Sequence, residues 1–148
     1  MRLGAKTGGQ GHATPREPPR AYPGRMLGLL LVDHGSRRPQ ANLQLEEMAA
    51  HLRALRPGAL VGIAHLEICA PSIPQGITLL VARGATQIQV LPYFLSDGRH
   101  SQEDIPAACA AAQAEHPQVR ITSGAVLGPH QALAALLLER AGILPDGG

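Results

Sequence analysis

The sequence predicts an α/β domain, a three-layer α/β/α sandwich around a four-stranded parallel sheet. Short apolar runs alternate four times with longer segments of helical periodicity, the apolar runs lack the polar alternation of a sheet with one wet face, and Pro and Gly fall between the two kinds of element. A strand such as Leu27-Gly28-Leu29-Leu30-Leu31-Val32, apolar almost throughout, is expected where helices cover both faces of a parallel sheet.

In chain order the pattern gives a strand over Met26–Val32, a helix over Pro39–Leu55, a strand over Ala59–Leu66 and a helix over Ile73–Arg83. A strand over Thr86–Leu91, a helix from about Asp104 to Glu115, a strand over Val119–Ser123 and a helix from His130 to Ala141 follow. Pro39 suits a helix start, because the first helical N–H groups have no intrahelical partner to lose. Pro57-Gly58 and Gly84 follow the first two helices, where a stop or a left-handed cap is wanted. Asp104 precedes Ile105-Pro106 and is placed to cap the third helix. Right-handed crossovers then put helices on both sides of the sheet.

The 148 residues suffice for one domain, and 45% hydrophobic residues suffice for one core. With two Tyr, one Phe and no Trp, the stacking platforms needed for single-stranded nucleic acid are nearly absent. The net charge of +2 is uneven: residues 1–25 carry Arg2, Lys6, Arg16, Arg20 and Arg25 against Glu17, which leaves eight basic and ten acidic residues in 26–148. A mildly acidic domain with a basic tail is not a binder of phosphate backbones, so no nucleic-acid partner is expected. Residues 1–25, rich in Gly, Pro and Arg without apolar periodicity, have the composition of a disordered segment; a start at Met26 is the other account of them. The single domain is expected over 26–148. Cys69 and Cys109 form no C-x-x-C pair and read as small buried hydrophobes. No apolar run approaches a membrane span and no apolar signal core opens the chain, so a cytoplasmic protein is expected.

In an open parallel sheet, ligands collect beyond the carboxyl ends of the strands. Strand one is followed by Asp33-His34-Gly35-Ser36-Arg37-Arg38, strand two by Glu67, and strand three by Ser96-Asp97-Gly98-Arg99 leading to His100. If strand one lies between strands two and three, these ends are adjacent. Two imidazoles and a carboxylate on one rim suit Co²⁺, Fe²⁺, Ni²⁺ or Zn²⁺; ordinary polar loop ends are the competing account. His12, His51, His116 and His130 fall in the tail, on a helix or at helix ends and read as structural. Strand alternation puts His65 on the side of Glu67, as a supporting partner or a further ligand. Gly35 and Gly98 permit tight turns and close approach of a flat ligand. Ala5-Lys6-Thr7 lacks the Gly before Lys of a phosphate-binding loop, follows no strand and holds the only lysine, so ATP hydrolysis is not expected.

These segments resemble the sirohydrochlorin chelatases of the CbiX type, the short cobaltochelatases and siroheme ferrochelatases. The resemblance is carried by Leu31-Val32-Asp33-His34-Gly35-Ser36-Arg37, His65-Leu66-Glu67 with Pro71-Ser72, Leu91-Pro92-Tyr93-Phe94-Leu95, Gly98-Arg99-His100 with Glu103-Asp104-Ile105-Pro106, and Leu127-Gly128-Pro129-His130. It implies strand order 2-1-3-4 and ATP-independent insertion of Co²⁺, Fe²⁺ or Ni²⁺ into sirohydrochlorin, in cobalamin or siroheme synthesis, without a tightly bound cofactor. It also implies His34, Glu67 and His100 as metal and proton handlers, with Gly35, Ser36, Arg37, Gly98 and Arg99 toward the tetrapyrrole. For Arg37, Arg38 and Arg99, pairing with substrate carboxylates competes with a solvated surface role. Longer relatives of this type carry two such domains, which implies a homodimer here. A metallochaperone or tetrapyrrole carrier is the alternative from another class, and a nucleotide binder using Gly35-Ser36 is a third.

Overall fold

The computed structural model describes residues 24–147; the expected tail lies outside them except for its last two residues. The elements are β1 (Leu27–Asp33), α1 (Pro39–Leu55), β2 (Leu60–His65), α2 (Ile73–Ala82), β3 (Gln87–Pro92), a π-helical turn (His100–Asp104), α3 (Ile105–Glu115), β4 (Arg120–Ser123) and α4 (Gln131–Arg140). The four strands form one parallel sheet in the order β2-β1-β3-β4, as the resemblance implied.

Alternation along β1 splits the core in two. Leu30 and Val32 face a cluster with Ile77 and Leu80 of α2 and Ile105 and Cys109 of α3, whereas Leu29 and Leu31 face Leu45 and Ala49 of α1. Helices on both faces explain why β1 carries no polar side chain before Asp33. Leu30, Leu45, Ile77 and Leu80 are all at most 1% exposed, and burying each such side chain contributes about 1.5–3 kcal/mol. Gly76 lets α2 settle onto the sheet: a Cβ there would stand 2.8 Å from Leu30 Cδ1 and 3.1 Å from Ala64 Cβ.

Local chemistry sets the helix ends. Pro39 opens α1 in its first turn. Ser72 and Gln75 form a reciprocal capping box at α2, a signal the sequence carries as Ser-x-x-Gln. Gly84 closes α2 at φ +103°, with Gly84 N–H donating to Val81 O and Ala85 N–H to Leu80 O; this is the left-handed termination for which glycine is preferred. His130 caps α4, its Nδ1 accepting from Ala132 N–H at 3.0 Å.

Asp104 departs from expectation. It has helical dihedrals and makes no side-chain cap bond to α3, because the helical backbone already begins four residues upstream, at His100 in the π turn. Ser101 serves that turn instead, its Oγ accepting from Gly98 N–H at 2.9 Å and donating to Gly98 O at 3.0 Å. The fourth helix also differs from a core-packed layer: α4 buries no residue, and Leu136, Leu137 and Leu138 are 42%, 72% and 36% exposed.

Candidate active site

With β1 between β2 and β3, the three strand ends singled out by the sequence are neighbours. The ladder continues past the strands: Leu66 N–H donates to Asp33 O at 2.8 Å, Glu67 N–H to His34 O at 3.1 Å, and on the other side Tyr93 N–H to Val32 O at 2.7 Å. The backbones carrying His34 and Glu67 are therefore hydrogen-bonded to each other, and both side chains are exposed on the rim. The His34 ring meets Phe94, just beyond β3, edge-on, with centroids 4.5 Å apart and planes at 79°. Phe94 is 8% exposed and gives the imidazole a fixed apolar wall.

The turn after β1 is closely specified. Asp33 Oδ1 accepts from Gly35 N–H at 2.9 Å, an Asx turn of the kind that lets a short acidic side chain replace a backbone acceptor. Gly35 has φ +88°. A Cβ at this position would press into the Glu67 carbonyl oxygen and lie 3.2 Å from His65 Cβ and 3.3 Å from Cys69 Sγ, so glycine is required by conformation and by space. Ser36 is held by Asn42 of α1 in both directions: Asn42 Oδ1 accepts from Ser36 N–H at 3.1 Å and Asn42 Nδ2 donates to Ser36 O at 2.8 Å.

Gly98 is different. It does not have a positive φ, and a Cβ there would meet none of the described residues within 4 Å, so no tight turn requires it. Arg37, Arg38 and Arg99 are exposed on the same loops. His100 opens the π turn; its side chain lies outside the described residues, and among the described residues no three His, Cys, Asp or Glu side chains are grouped to hold a metal ion.

The strand alternation expected from His65 to Glu67 is corrected by the structure. β2 ends at His65, so strand alternation does not carry on to Glu67: His65 is 2% exposed whereas Glu67 is exposed. The intervening turn takes Ile68 to φ +76°. Sequence reasoning missed the pairing of His65 with Asp33, 2.5 Å between Nδ1 and Oδ1, and the bracing of Ser36 by Asn42. The first becomes visible only with the strand register, in which Asp33 and His65 are direct partners.

Two surface grooves lie near these loops. One, of about 630 Å³, runs along α2 and is lined by Ala70, Pro71, Pro74 and Leu79. The other, of about 470 Å³, lies between Leu95 and α4, with Leu133 and Leu137 among its apolar lining. It adjoins the site, since Leu95 follows Phe94 and Leu127 N–H donates to Phe94 O at 2.9 Å.

The chain is similar to the chloroplastic sirohydrochlorin ferrochelatase of Arabidopsis thaliana, 39% identical over 113 residues that make up 76% of this chain and 50% of that protein. It is 29% identical over 123 residues to the sirohydrochlorin cobaltochelatase of Methanococcoides burtonii, covering 78% of this chain and 94% of the relative. Among solved structures it superposes on the sirohydrochlorin chelatase SirB of Bacillus subtilis subspecies spizizenii, in complex with cobalt, with TM-score 0.73 and 29% identity over 79% of this chain and 50% of SirB. The chain thus spans about half the length of the Arabidopsis relative and of SirB. Residues 28–143, from the second residue of β1 to just past α4, match the CbiX family model, and the chain belongs to the CbiX family.

Proposed function

We propose that this chain inserts a divalent metal, Co²⁺ or Fe²⁺ with Ni²⁺ as a further candidate, into sirohydrochlorin without ATP, in cobalamin or siroheme synthesis. The observation that carries this reading is the juxtaposition of His34 and Glu67 on hydrogen-bonded strand ends in a chain of the CbiX family. His34, Glu67 and His100 are the groups proposed to hold the incoming metal. Imidazole nitrogen and carboxylate oxygen suit first-row divalent ions, whose shared affinity order leaves the choice among them to supply.

Metallation removes two pyrrole protons as the ion sheds water, so groups at the rim must accept protons as well as bind metal. A neutral imidazole can do either in turn. The edge-on packing of His34 on Phe94 supports this role, because it limits ring rotation while leaving the residue exposed. Arg37 and Arg99 are assigned to the substrate carboxylates, where a guanidinium can pair through two N–H groups. Gly35, Ser36 and Gly98 are assigned to backbone approach by the macrocycle. No helix among the described residues is long and apolar enough to cross a membrane, and a cytoplasmic setting is part of the proposal. So is a homodimer: the leucines of α4 that none of the described residues buries offer a second copy an apolar face.

The test is incubation of the purified protein with sirohydrochlorin and Co²⁺, Fe²⁺ or Ni²⁺ in turn, without ATP, following the macrocycle absorbance. Multiple turnovers that fall sharply in His34→Ala and His100→Ala are expected. No acceleration over the spontaneous reaction with any metal would overturn the enzyme assignment in favour of a carrier.

A further inference from the structure

Among the described residues, His65 is the one buried side chain that is polar or charged. An imidazole in that position must be hydrogen-bonded to offset its desolvation, and its partner is Asp33: Nδ1 and Oδ1 are 2.5 Å apart. A carboxylate only accepts, so Nδ1 carries the proton. The same Oδ1 accepts from Gly35 N–H at 2.9 Å. His65 on β2 and Gly35 beyond β1 therefore converge on one oxygen, and the residue between the two ends of the Asx turn is His34. The backbone closes the circuit, since Asp33 O and His34 O accept from Leu66 and Glu67 N–H.

We infer that His65 is a positioning residue: by fixing the Asp33 carboxylate it holds the turn that presents His34 beside Glu67. Buried at 2% exposure, it is not a group that meets substrate. An apolar side chain of similar size would pack as well against Gly35, but it would leave the carboxylate free to turn away and release the Gly35 amide. The kinetic consequence rests on the chelatase reading; the structural consequence does not.

Three substitutions separate donor position from packing. His65→Phe keeps the ring and removes the donor, His65→Asn keeps an amide N–H where Nδ1 stands, and His65→Gln carries its amide one carbon farther out. Amide hydrogen exchange at Gly35, thermal melting, and kcat and KM for sirohydrochlorin with Co²⁺ are measured for each. In His65→Phe and His65→Gln the Gly35 amide is expected to exchange at least tenfold faster. Their kcat is expected to fall about 10–100-fold, the usual effect of losing a residue that orients a ligand, with KM changed by less than about twofold. His65→Asn is expected to recover both readouts to within about threefold of wild type. The inference is overturned if Asn fares no better than Gln, if Gly35 exchange is unchanged throughout, or if the losses follow melting temperature alone. Should His65→Phe fail to fold, the Asn and Gln pair decides. A wild type without turnover sinks the chelatase reading alone, and Gly35 exchange, which needs no substrate, still decides this one.

Discussion

Replacing Gly35 by alanine tests whether the turn after β1 is as closely specified as its geometry indicates. Two costs combine. At φ +88° an L side chain meets the following carbonyl, a penalty of about 1–2 kcal/mol. The new Cβ also presses into the Glu67 carbonyl oxygen, which must move. That carbonyl accepts from Cys69 N–H at 2.9 Å, and the peptide on its other side donates to His34 O at 3.1 Å; losing both costs about 1 kcal/mol each. The total is about 3–4 kcal/mol. With a urea slope of about 1–3 kcal/mol/M, the unfolding midpoint should fall by roughly 1–4 M. Two other glycines serve as controls. Gly84 has φ +103° and nothing within 4 Å of an added Cβ, so Gly84→Ala isolates the conformational cost of about 1–2 kcal/mol. Gly98 has neither feature, and Gly98→Ala should change stability by less than about 0.5 kcal/mol. The reasoning is refuted if Gly35→Ala and Gly84→Ala have the same urea midpoint.

Burial raises the Cys109 thiol above its ordinary pKa. At neutral pH iodoacetamide should therefore label the more accessible Cys69 well before Cys109, and equal labelling rates on peptide mapping would contradict the burial. The folded state keeps the Cys109 proton at a pH where the unfolded chain has lost it, so stability should decline as the pH rises past the ordinary thiol value; urea midpoints for Cys109→Ala should fall less at alkaline pH. Leu137, 72% exposed on α4, should tolerate Leu137→Glu with little change in the stability of the single chain. Sedimentation should show the proposed dimer giving way to monomer, and a mass unchanged from wild type would remove this face from the proposed interface.

Much of this architecture was legible in the sequence because burial and chain reversal act locally. The run before Asp33 has no polar residue because both its faces are covered, and Pro39 and Gly84 mark helix ends because one has no N–H to donate and the other tolerates positive φ. The π turn was not legible: residues 96–104 contain no apolar residue, and hydrophobic periodicity is the signal a sequence offers for a helix. Gly35 and Gly98 look alike as letters in polar loops, yet one is confined by Glu67 and Cys69 from 32 and 34 residues away and the other by none of the described residues. His65 and Asp33 are likewise 32 residues apart, and only the parallel register makes them partners. The face left open on α4 is a tertiary outcome, since its leucines read the same whether a sheet or a second chain covers them.

Strand order explains how a site of this kind can assemble from residues so far apart in the chain. Neighbouring parallel strands run about 4.8 Å apart, while imidazole and carboxylate donors stand about 2.0–2.2 Å from an ion such as zinc. Donors on two adjacent strand tails can therefore meet one ion between them, whereas donors two strands apart are separated by about 10 Å and need a longer approach. In the order β2-β1-β3 the β1 tail carrying His34 has Glu67 on one side and the segment leading to His100 on the other, so it is the natural centre of the proposed three-donor set. If β1 lay at the edge, its tail would have only one neighbour. On this reasoning the turn at Asp33–Gly35 is the most constrained part of the rim because any error there displaces His34 from both flanking strand tails at once.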